Sequence, residues 1–128
     1  MIAATRRTVM LGTLGVAAIG AMPVALRARD LPAIFIYDQR FTASIELADR
    51  WRAMGVPVLD PRDHDLGLAW RGHIPDLLRR GSRIEGATLW SDRFVCESFG
   101  RTHGLAPMAT DFALPGERGG ALRQWVIA

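Results

Sequence analysis

Pro32-Ala33-Ile34-Phe35-Ile36-Tyr37-Asp38 is the stretch that decides the fold. A short unbroken apolar run closed by a carboxylate predicts a strand buried on both faces, not one with a wet side. The period then changes. Thr42 to Met54 carries Ile45, Ala48, Trp51 and Met54 at helical spacing, with Thr42 placed to cap the start and Gly55 to end it. Val56-Pro57-Val58-Leu59 is a second short apolar run, again closed by an aspartate, Asp60. Pro57 cannot donate to a ladder, so this strand belongs at an edge, or Pro57 at a strand start.

The alternation continues. After the polar segment Asp60-Pro61-Arg62-Asp63-His64-Asp65, Leu66 to Arg80 reads as helix divided by Gly72 and Pro75. Pro75 suits the first turn of the second piece, and Gly81 closes it. Ile84 to Trp90 is a third apolar strand. Ser91 is then placed to cap a third helix, with Asp92 in its first turn and Phe94, Val95, Cys96 and Phe99 as its buried face, and Gly104 ends it. In the tail, Met108 to Leu114 and Ala121 to Ile127 read as strands around the turn residues Pro115 to Gly120.

Strand–helix repeated three times predicts an α/β fold. The expected architecture is a small three-layer domain over residues 29–128, with a short parallel sheet (β-α-β-α-β-α) plus a C-terminal hairpin or edge strand. A looser α+β arrangement is the alternative.

In such a sheet ligands bind outside the carboxyl ends of the strands, where strand order reverses. Three segments leave those ends. They bring Asp38 and Arg40 from the first, Asp60, Asp63, His64 and Asp65 from the second, and Ser91 and Asp92 from the third. These are the candidate ligand-binding residues, and Asp38, Asp60 and His64 are expected within one pocket's width. Each has a plainer reading. Asp38 and Asp60 suit turns, Asp63 or Asp65 can cap the helix at Leu66, and Ser91 can cap the next. Ser91 lacks the glycine frame of a nucleophile elbow. His64 is the natural proton carrier if the cluster reacts.

No cofactor motif is present, and none is expected. Adjacent Asp63, His64 and Asp65 do not form a metal-ligand spacing. Every basic residue is Arg, which removes Schiff-base chemistry and a lysine phosphate loop. Cys96 is the single cysteine, so no internal disulfide can form, and a small buried hydrophobe is its ordinary role.

The first 28 residues are of a different kind. Arg6-Arg7 stands before a run from Val9 to Leu26 that is free of charge and rich in Gly and Ala. This layout resembles a twin-arginine (Tat) export signal. Arg6, Arg7 and Leu11 match its usual pattern, while Thr5 and Val9 stand where Ser and Phe are commonest. The resemblance implies folding before export, a periplasmic or otherwise exported location, and the twin-arginine export machinery as a partner. If the leader is not cleaved, it is the chain's only expected contact with the membrane. Without it, 13 arginines face 13 acidic residues. The high isoelectric point therefore belongs to the leader, and no nucleic-acid footprint remains.

Three functional readings follow. The first is a non-catalytic binding or accessory protein of the cell envelope, travelling with a larger exported protein. The second is a small hydrolase or transferase using Asp38, Asp60 and His64. The third is a structural or lipid-facing protein held by its leader. The leader itself gives a test. Changing Arg6 and Arg7 together to Lys keeps the charge but removes the pair the receptor reads, so fractionation should find the precursor held in the cytoplasm. Arrival in the periplasm at the normal rate would contradict the resemblance.

Overall fold

The computed structural model describes residues 30–80, 83–109, 112–114 and 121–128. The leader with Arg6 and Arg7, Gly81 and the turn expected at 115–120 lie outside them.

The run at Ile34–Tyr37 forms β1, which is buried except at Tyr37. Phe41 leads into helix α1, Thr42–Ala53, and Gly55 turns the chain out of it at φ +84°, a left-handed conformation that glycine adopts without steric cost. Strand β2, Val58–Leu59, follows. Two short helices follow as expected, α2 (Leu66–Arg71) and α3 (Ile74–Leu78), with Pro75 in the first turn of α3. Strand β3 is Ile84–Thr88, and helix α4 is Trp90–Arg101. Short β4, Phe112–Ala113, precedes β5, Arg123–Ile127.

The five strands lie in the order β2-β1-β3-β5-β4. β1 runs parallel to β2 and to β3, with Ile34 opposite Ile84 and Phe35 opposite Val58. β5 is antiparallel to β3, and β4 is antiparallel to β5. The fold is α/β as expected, but the sheet is mixed. The parallel strands β2-β1-β3 are joined by the expected antiparallel pair from the tail, with β5 beside β3 and β4 at the edge.

Alternate side chains of the sheet feed two cores, as the pleat requires. Ile34, Ile36, Leu59, Ile84, Trp125 and Ile127 pack under α2, α3 and α4, through Leu66, Trp70, Ile74 and Cys96. Phe35 and Ala87 pack on the other face with Ala48 and the partly buried Leu47 and Trp51 of α1. This burial on both faces explains why the β1 run is continuously apolar. Trp70 stacks on Phe99 at 5.8 Å, tying α2 to α4.

Three local expectations are corrected. Thr42 does not cap α1, which begins at Thr42 itself after Phe41, with no side-chain cap. Ser91 does not cap α4, which begins one residue earlier, at Trp90. Phe94 is not on the buried face of α4; it is 49% exposed and stacks on Trp90 at 5.0 Å. Two residues from both Asp92 and Cys96, which are buried, Phe94 lies about 200° round the helix on the opposite face.

Trp125 depends on a glycine. Its ring lies flat over Gly86, where an added Cβ would stand 2.2 Å from Cζ2. Its indole N–H donates to Thr88 Oγ1 at 3.0 Å, which fixes the ring's orientation. Gly86→Ala should therefore destabilise the protein by roughly 3 kcal/mol, at the upper end of overpacking costs, through displacement of Trp125. Denaturant unfolding checks this. A change below about 0.5 kcal/mol would show that the ring is not seated on Gly86.

Candidate functional site

The carboxyl ends of β1 and β2 each finish in an aspartate that folds the next turn. Asp38 Oδ1 accepts from the Arg40 backbone N–H at 3.0 Å, and Asp60 Oδ1 accepts from the Arg62 N–H at 2.7 Å. These are paired Asx turns on neighbouring parallel strands. Asp60 also reaches across to the first turn, its Oδ2 accepting from the Gln39 N–H at 2.8 Å. Gln39 Nε2 in turn donates to Asp63 Oδ1 at 3.1 Å.

Ser44 supports the turn from below. Its hydroxyl accepts the Asp38 N–H at 2.8 Å and donates to the Ala87 carbonyl at 2.6 Å. It is buried and joins α1 to β1 and β3. Helix α1 therefore spends its buried serine on the sheet edge and not on its own cap.

Arg62 stands at the centre. Its Nη1 donates to Asp38 Oδ2 at 2.9 Å, and its Nη2 to both Asp92 oxygens at 2.8 and 2.9 Å. Asp60 Oδ1 is 3.9 Å from its Nε. Arg40 grips Asp38 from the other side, Nε to Oδ1 at 2.9 Å and Nη2 to Oδ2 at 2.7 Å. Asp38 is completely buried, and Asp60 and Asp92 nearly so. The guanidinium of Arg62 thus fills the place between β1 and β3 where strand order reverses.

Burial of Asp38 alone would raise its pKa. The Arg40 hydrogen bonds and the charges of Arg40 and Arg62 outweigh that, and the carboxyl lies below its ordinary value of 3.8. The same pairing raises Arg40 above its ordinary value. A general acid needs the opposite shift, a carboxyl held protonated near neutral pH.

The sequence-derived candidates divide. Asp38, Arg40, Asp60 and Asp92 meet in one network, and Asp63 joins at its rim. Asp65 caps α2, accepting from the Leu68 N–H at 2.8 Å. His64 enters only through its backbone, whose N–H donates to the Asp60 carbonyl at 3.2 Å; the residue is exposed. Ser91 is exposed on α4. Sequence pattern singles out neither Arg62 nor Ser44. The signal for Arg62 was its place inside an aspartate-rich turn, where one partly exposed cation reaches several carboxylates.

Among the described residues, no group of three His, Cys, Asp or Glu side chains is arranged to hold a metal ion. Nor is any helix among them long and apolar enough to cross a membrane. Cys96 is fully buried beside Trp70. Burial pushes its thiol up to about 12, with the Trp70 indole opposing weakly. That indole N–H is itself without a partner of hydrogen-bond geometry. Such a thiol is inert, because thiolate is the nucleophile. A recess of about 190 Å³ lies at the other end of the sheet, lined in part by Ala33, Val56, Pro57 and Leu77.

No family model matches this chain, and no curated protein or solved structure shows significant similarity to it.

The lowered pKa of Asp38 has a definite pH signature. A carboxyl lower in the folded than in the unfolded state contributes stability above its unfolded value and loses it as pH falls through the folded one. Asp38→Asn should therefore be less stable than the wild type at pH 7, and the gap should close as pH falls below about 4. Denaturant unfolding from pH 7 to pH 2.5 measures it. A constant gap across that range would show that the Asp38 charge does not stabilise the fold.

Proposed function

We propose that the chain is an exported, non-catalytic binding or accessory domain of the cell envelope, with the twin-arginine export machinery as its route and a larger exported protein as its partner. The observation that carries this reading is the occupancy of the strand-reversal point by Arg62. The three buried carboxylates there are spent on two guanidiniums and on turn N–H groups. Geometry of this kind favours a rigid scaffold over turnover. The hydrolase reading needs His64 facing Asp38 or Asp60 as a proton carrier, whereas His64 supplies only a backbone hydrogen bond.

The surface offered to a partner is the outer side of α4. Trp90 is 65% exposed and Phe94 49%, and the two stack on each other. Single exposed apolar side chains are ordinary on protein surfaces, whereas aromatic side chains are enriched where proteins contact one another.

Site-specific photocrosslinking of the full-length chain in its own host tests the reading. A photoreactive residue at Phe94 should give one defined adduct in the envelope fraction. The same probe at exposed Arg50 of α1, on the opposite layer, should not give it, and Trp90→Ala should abolish it. Identical patterns from both positions, or no adduct from position 94, would overturn the proposal.

A further inference from the structure

We draw no further inference here: the strongest candidate, the apolar recess at the amino end of the sheet between the start of β1, the Gly55–Pro57 turn and Leu77 with Arg80, is an unpartnered surface, and nothing in the structure shows what covers it.

Discussion

A single guanidinium holds the carboxyl edge of this sheet together. Parallel strands deliver their ends to one side, and here each of the first two ends in an aspartate whose carboxylate is withdrawn from water. Asp92, in the first turn of α4, is the third. Uncompensated, buried carboxylates so close together would oppose folding strongly. Arg62 answers two of them at hydrogen-bond distance and lies beside the third. It thereby joins the end of β1, the loop after β2 and the start of α4, segments separated by 24 and 30 residues. Asp92 benefits further from the positive end of the helix.

The same arrangement determines what the edge can do. A reactive site needs an acid and a base with pKa values pushed apart, and a place for the reacting atom between them. At this edge the burial of Asp38 is outweighed by the hydrogen bonds and charge of Arg40, which hold its carboxyl below the ordinary value, and the Arg62 guanidinium lies between Asp38 and Asp92. Where strand order reverses, Arg62 cross-links the end of β1 to the start of α4. Among the exposed large apolar side chains, Trp90 and Phe94 of α4 stack on each other.

Much of the fold was legible because apolar runs and turn residues alternate cleanly. The run at Ile34–Tyr37 required a strand with two covered faces, and the two cores on either side of β1 supply them. Gly72 and Pro75 marked the break between α2 and α3. The antiparallel tail was legible as a hairpin, from apolar runs on either side of Pro115 to Gly120, but the sequence did not say that it would pair with β3. Of the candidate site, the aspartates were legible as strand-end residues, but their partner was not. Arg62 looks like one of many arginines until the topology places Asp38 and Asp92 on either side of it. Helix starts failed for a local reason. Thr42 and Ser91 are good capping types, yet each lies inside its helix, and the cap positions fall to Phe41 and Leu89, which have no side-chain acceptor.

The central claim is that Arg62 and the carboxylates it bridges act as one unit. The direct measurement is a double-mutant cycle on Arg62→Leu and Asp92→Asn, read by denaturant unfolding at pH 7. Leucine keeps the apolar stem, and asparagine keeps the shape. Arg62→Leu alone should cost about 2–3 kcal/mol, less than for a fully buried pair because the side chain remains 27% exposed. The two changes together should cost less than the sum of the two alone by about 1 kcal/mol or more, the signature of a shared interaction. Additivity to within about 0.3 kcal/mol would mean that Arg62 and Asp92 act independently, and the account of the edge as an ionic cross-link would fail.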